Sequence, residues 1–429
     1  MLRLRIDDRY SQHVVLARGE APADYRVLLG ALEAGTHRLT IDGDDGLSAP
    51  GAGAVTIARI EVRPILPDEP EHTALAHAPI LHPRPGALER FSDLPLFAWV
   101  ERAATPSGGV ALRYSVVFSH EDGGTPTDRL MATWGRATDI EFVYGVELDR
   151  DGRLVRAEYQ GPEHAVLAFA GTRRGAHPEL WVVTDNNMVG DRPAAPGSSG
   201  PARPGDGAAA VRFALAPQPL ALENASREVV MDANPWMYRL MAAELAREGR
   251  LQPDAPPGSG RIPDPRTFAY LEACGELHEA TLAFDVGIER SRRDGSGDRK
   301  TRGEPQFNAR ERATRLEWVP TDRGDARFRI ARSGCFRAAA PLPPGTDAVQ
   351  VRGLRARAFT RPPREGEAPL PPGSGRVTLT RVNTVFVLSR DYVPSPPLLA
   401  WRGIVALAGE APPVELSVAP PDARPPARR

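Results

Sequence analysis

Glycine and proline punctuate this chain so densely that long helices have little room to form. Among 429 residues, 40 are Gly and 44 are Pro, together about a fifth of the chain where roughly 12% is usual. Proline fixes φ and removes a backbone donor, while glycine enters the positive-φ turns that other residues avoid. Between these breakers, apolar residues recur at every second position, the period of a half-buried strand. The strongest such runs lie at 54–63, 110–118, 140–148, 153–159, 164–169, 179–184 and 376–388. Asp149 to Gly152 reads as a hairpin turn between two of them. Residues 266–290 read as a further hairpin that turns near Gly275. The expected fold is therefore mainly β, with two or three β-sandwich-like domains and one capped α-helix.

That helix is placed at 235–248. Asn234 stands as its N-cap, Pro235 suits the first turn, and Gly249 suits the stop. Trp236, Leu240, Met241 and Leu245 give it an apolar face. Turn-rich boundaries divide the chain into an N-terminal β-sandwich-like domain (1–65), a central β domain (66–190) and a Pro/Gly/Ala linker or long loop (191–210). A C-terminal β-rich domain (211–415) and a disordered tail (416–429) follow.

Composition excludes more than it selects. Lys and Arg number 54 against 55 Asp and Glu, a net charge of −1, so binding to nucleic acid by bulk positive charge is not expected. Lys300 is the single lysine, a bias of the kind a GC-rich, bacterial-like genome produces. It sits among Ser, Gly, Asp and Arg in what reads as a solvated loop, whereas a Schiff-base lysine needs a desolvated pocket. No Gly-Lys pair exists, which excludes a Walker A phosphate loop. No Gly-x-Ser-x-Gly elbow, Ser-x-x-Lys pair or His-Glu-x-x-His helix occurs either. Cys274 and Cys335 are too few for a four-thiolate zinc site; they suit one disulfide in an exported protein or two inert buried thiols. No run of about 18 apolar residues marks a membrane span. The first residues show no signal-peptide core. A soluble protein is expected, cytoplasmic on this reading, or extracellular or in the cell envelope if a leader is missing from the chain.

One stretch gathers polar, aromatic and glycine residues at strand ends, where binding loops usually sit. The 110–118 strand runs into His120, Glu121 and Asp122, then Gly123 and Gly124; Trp134, Arg136 and Asp139 precede the 140–148 strand. Strict alternation puts Ile140, Phe142, Tyr144, Val146 and Leu148 on one face. Asp139 and Glu141 then share the other, about 7 Å apart at the base. Two carboxylates at such a spacing can act as acid and base or nucleophile in glycoside cleavage, with His120 alongside. Trp134 offers a sugar-stacking face, and Arg136, Glu121 and Asp122 complete a ligand-binding set. Asp185, Asn187 and Asp191 form an oxygen-rich loop able to ligate Ca²⁺, with Gly190 easing the turn. The plain alternative is that acidic residues on the polar face of an edge strand are simply solvated. Asp-Gly-Gly and Asp-Asn-Asn are also ordinary turn sequences.

Three functions follow, in order. The first is a non-enzymatic β-sandwich protein that binds an extended ligand, a glycan or a partner protein. The second is a glycan-acting hydrolase or lyase that uses Asp139, Glu141 and His120, with bound Ca²⁺. The third is a structural or assembly protein. The missing nucleophile motifs outweigh one polar cluster, which places binding ahead of catalysis.

Overall fold

The computed structural model describes residues 1–48, 53–84, 86, 91–121, 123–193, 211–291 and 314–419. Asp122, Lys300, residues 194–210 of the expected linker and residues 420–429 of the expected tail lie outside the described residues. The fold is mainly β, built from several separate sheets with a few short helices. No helix among the described residues is long and apolar enough to cross a membrane. The chain forms two compact units: Met1–Thr125 with Ala137–Glu223, and Pro126–Arg136 with Asn224–Arg429. The division at Glu223 thus falls beyond the expected linker, and residues 1–65 share a unit with the strands that follow.

Unit 1 contains β1 (Leu2–Ile6), β2 (Arg9–Val14), β3 (Leu39–Gly43), helix α1 (His72–Ala76), β4 (Ile80–His82), β5 (Pro95–Ala104), β6 (Val110–Phe118), β7 (Asp139–Leu148) and β8 (Leu154–Gln160). It continues with β9 (Val166–Ala168), β10 (Arg173–Arg174), β11 (His177–Val182), β12 (Val189–Gly190), β13 (Phe213–Ala214) and β14 (Gln218–Pro219). These make a sheet β2-β1-β3, a six-stranded sheet β14-β5-β6-β7-β8-β9, and a sheet β10-β11-β4-β13 with β12 on β11. The last two share a core: Leu112, Tyr114, Val116 and Phe118 of the larger pack with Leu81, Leu180, Val182 and Val189 of the smaller.

The alternation expected along β7 fails at one residue. Tyr114 pairs with Tyr144 but Ser115 pairs with Phe142, so Val143 is an extra residue, a β-bulge. Beyond the bulge Tyr144, Val146 and Leu148 face the core. Before it the phase reverses. Asp139 and Glu141 stand opposite Phe118 and Val116, which are core residues, and so point between the sheets. β7 is also a central strand. The two residues are 2% and 9% exposed, which corrects both the expected face and the solvated-edge alternative.

Unit 2 contains α2 (Thr127–Trp134), α3 (Val229–Ala233), α4 (Trp236–Arg247), β15 (Phe268–His278), β16 (Ala280–Ser291), β17 (Thr314–Pro320) and β18 (Gly334–Pro341). It ends with β19 (Val351–Thr360), β20 (Arg376–Val387), β21 (Leu399–Ala408) and β22 (Val414–Glu415). Sheets β18-β15-β20-β21 and β17-β16-β19-β22 enclose one core that includes Leu271, Phe284, Phe336, Leu354 and Val385. β15 and β16 are not the expected hairpin, because they belong to different sheets. Glu279, at φ 48°, makes the corner. Gly275 lies inside β15 at a register shift against β20, where a Cβ would stand 2.8 Å from the Thr378 carbonyl oxygen.

The expected 235–248 helix is present as α4. Asn234 nevertheless serves the helix before it, since its side-chain amide donates to the Val230 carbonyl at 2.9 Å. α2 was not expected; Pro126 precedes it and Gly135, at φ 63°, provides a left-handed stop.

Candidate functional site

The expected constellation divides between the units. His120, Glu121, Asp139 and Glu141 belong to unit 1, and Trp134 and Arg136 to unit 2.

In unit 1, the turn between β11 and β12 carries Asn187 at φ 55°. Its side-chain N–H donates to the His120 carbonyl at 2.9 Å and to Asp139 Oδ2 at 3.0 Å. Asp139 Oδ1 accepts the Ile140 backbone N–H at 2.9 Å. Gln160, at the end of β8, donates to Glu141 Oε2 at 2.6 Å and lies 3.0 Å from His164 Nδ1. Each carboxylate is therefore met by an amide donor, and the buried network ties the β11–β12 turn to the end of the large sheet. Asp185 turns instead to Arg84, which is itself gripped by Asp93 at 2.7 and 3.0 Å. Asp191 accepts the Ala170 N–H at 3.0 Å. The side chains of Asp185, Asn187 and Asp191 thus go to three different partners instead of converging on one Ca²⁺ centre. Among the described residues, no group of three or more His, Cys, Asp or Glu side chains is placed to hold a metal.

Unit 2 holds a denser charge network that the spacing of the sequence did not suggest. Arg337 on β18 is wholly buried. Its two Nη groups donate to Asp232 at 2.6 Å each, and further to Glu272 at 2.6 Å and the Tyr238 hydroxyl at 2.9 Å. Glu272 and Arg337 face each other across the β15–β18 ladder, and two positions along it Cys274 faces Cys335, joined as a disulfide. Arg136 pairs with Glu228 at 3.2 Å. The Arg332 guanidinium lies 4.8 Å from the Trp134 ring centroid, so arginine occupies the indole expected to stack on sugar. Burial pulls the Arg332 pKa down to about 10, against an upward pull from Glu228. Burial alone would raise the Glu228 carboxyl; Arg136, Arg332 and Arg337 outweigh it and hold the pKa below its ordinary value. Arg136, Arg332 and Arg337 balance Glu228, Asp232 and Glu272 in charge. In such a charge-balanced, largely buried set, removing any one member leaves its partner's charge uncompensated.

The more open chemistry of unit 2 lies on the outer face of β17-β16-β19-β22. Trp318, Gly287 and Gly353 stand in one row across three strands. A Cβ on either glycine would come within 3.0 Å of the indole, so two missing side chains let a half-buried Trp318 lie across the sheet. The Arg355 guanidinium is 4.5 Å from its ring centroid. In the next row Asp285 accepts Arg355 Nε at 2.6 Å and Arg357 Nε at 2.9 Å. Asp322 accepts Arg357 Nη2 at 2.8 Å and Arg329 Nε at 3.2 Å. Burial works to lower the Arg357 pKa, and Asp322 and Asp285 together overcome it. Two buried carboxylates thus hold three partly exposed guanidiniums. Glu415 stands opposite Arg355 across the β19–β22 ladder, and the Nη groups of Arg355 and Arg329 lie outside these bonds. Sequence reading missed this face; the visible signal was a lone Trp opposite glycine-bearing strands, which acquires meaning only once the register is known.

No family model, curated protein or solved structure matches the chain.

Proposed function

We propose that this is a non-enzymatic binding protein whose ligand is an extended glycan bearing carboxylates, seated on the outer face of β17-β16-β19-β22. The observation that carries this reading is Trp318 laid over Gly287 and Gly353 beside Arg355. An indole on a sheet face meets the C–H surface of a sugar ring, and a guanidinium fork matches a carboxylate. Asp285 and Asp322 hold the arginines in place before the ligand arrives, which lowers the entropy cost of binding. The burial of Asp139 and Glu141 among core side chains favours binding over glycoside cleavage, because a catalytic pair must reach the sugar. The Cys274–Cys335 disulfide suits an oxidising, extracytoplasmic setting.

A glycan array containing neutral and uronic-acid oligosaccharides tests the reading, followed by calorimetric titration of the best ligand. Uronic-acid glycans should bind. Trp318→Ala should weaken binding by about tenfold or more, roughly 1.4 kcal/mol. Arg355→Leu should erase the preference for acidic over neutral sugars, and Trp134→Ala should change nothing. An array without acidic hits, or a Trp318→Ala protein that binds like wild type, overturns the proposal.

A further inference from the structure

Residues 53–65 of unit 1 have the sequence of a strand and none of its pairing. Among the described residues, their backbone makes no hydrogen bond, and every residue from 53 to 64 is exposed. Val55, Ile57, Ile60 and Val62 are 54, 46, 57 and 65% exposed. β-branched residues at this density pack best against a pleated neighbour, and a solvated, unpaired backbone is open to pairing with a strand edge.

The three-stranded sheet of the same unit has an open edge. Asp7 N–H donates to the Arg38 carbonyl and Asp44 N–H to the Met1 carbonyl. With the β1–β3 register, this turns the backbone of Thr40 and Asp42 toward β1. The N–H and C=O groups of Leu39, Ile41 and Gly43 therefore point away from the sheet, where β3 is the terminal strand. On one face of this sheet Leu2, Ile6, Leu39 and Ile41 remain only half-buried. Leu4 on that face is buried, and the open edge beside the partly covered residues is a template for a further strand.

We infer that residues 53–63 of one copy pair along the free edge of β3 in a second copy, and the reverse, in a strand-exchanged dimer. Among the described residues, each copy carries one unpaired strand and one unfilled edge, and its own strand leaves that edge empty. Reciprocal exchange satisfies both features in both copies with no third component, and its two-fold symmetry closes the assembly at two chains. Pairing supplies backbone hydrogen bonds, and one same-parity pair, Val55 with Ile57 or Ile60 with Val62, extends the apolar face begun by Leu39 and Ile41. This inference stands apart from the glycan reading, which concerns unit 2.

Sedimentation equilibrium of the full chain at micromolar concentrations tests it. Wild type should have the mass of two chains. Ile57→Pro with Ile60→Pro should sediment as one chain with an unchanged circular dichroism spectrum. Proline lacks the ladder donor, and these positions have opposite strand parity, so either pairing edge loses one. Benzoylphenylalanine at position 62 should cross-link, in a mixture of isotope-labelled and unlabelled chains, to a peptide of the other chain that contains Leu39–Gly43. A monomeric wild type, a dimer that survives the proline pair, or a cross-link confined to one chain overturns the inference.

Discussion

Arg337→Met removes the guanidinium that meets Asp232 and Glu272 together. Arg337 is 0% and Glu272 1% exposed, so the charge left on Glu272 has little recourse to water. Ser226 still donates to it through N–H and hydroxyl, and Asn383 through its amide, but these dipoles do not replace a full positive charge. Breaking a buried ion pair from one side costs about 3–5 kcal/mol. In a unit of this size each kcal/mol moves Tm by about 2–4 °C, so calorimetry should record a fall of roughly 6–20 °C for unit 2. Glu272→Leu combined with Arg337→Met removes both charges from the buried position. Asp232, whose side chain is 26% exposed, can then hydrate. The double variant should recover more than half of the loss, because paired buried charges barely outweigh their own desolvation. Urea titrations of wild type, both single variants and the double close the cycle. A single variant within about 1 kcal/mol of wild type, or a double as unstable as the sum of the singles, refutes the account.

Reduction of Cys274–Cys335, whose sequence separation is 61, removes a loop constraint worth about 4 kcal/mol. Thermal scans with and without dithiothreitol should differ by roughly 10 °C; coincident scans, or two free thiols after aerobic purification, reject the bond. His13, His77 and His82 in unit 1 are held below their ordinary pKa of 6.5, burial being the largest cause in each; Asp44 partly opposes it at His13 and Glu179 at His82. On acidification the unfolded chain protonates these groups first, so their contribution is complete above about pH 6.5 and is lost as pH falls toward the folded values. Tm should therefore decline from pH 7 to 5, and a profile that is flat or rises on acidification is inconsistent with neutral imidazoles at the buried His13 and His82 and the half-buried His77. Asn187→Leu withdraws the donor from Asp139 and from the His120 carbonyl, at a cost of about 1–3 kcal/mol. Urea midpoints identical to wild type would show that this amide does not hold the β11–β12 turn.

Local chemistry was open to reading from the residues alone. The density of Gly and Pro excluded long helices, and period-two runs at 110–118, 140–148 and 376–388 appear as β6, β7 and β20. Asp149 to Gly152 makes its turn, with Gly152 at φ 78° and the Asp149 N–H on the Arg153 carbonyl. Pro235 and Gly249 bracket α4. Each of these follows from backbone sterics within a few residues. The ladders between strands are a different kind of fact. One extra residue, Val143, moves Asp139 and Glu141 from the expected solvent face into the core, and nothing in their own strand announces it. Residues 53–63 have a strand's pattern, yet among the described residues their backbone makes no hydrogen bond. Glu272 and Arg337 each stand out as one charge in an apolar run, yet their meeting depends on the register that also joins Cys274 to Cys335. Trp318 becomes a platform only because Gly287 and Gly353 fall in its row. Backbone preference acts over a handful of neighbouring residues, whereas face, register and burial are settled between strands far apart in the chain.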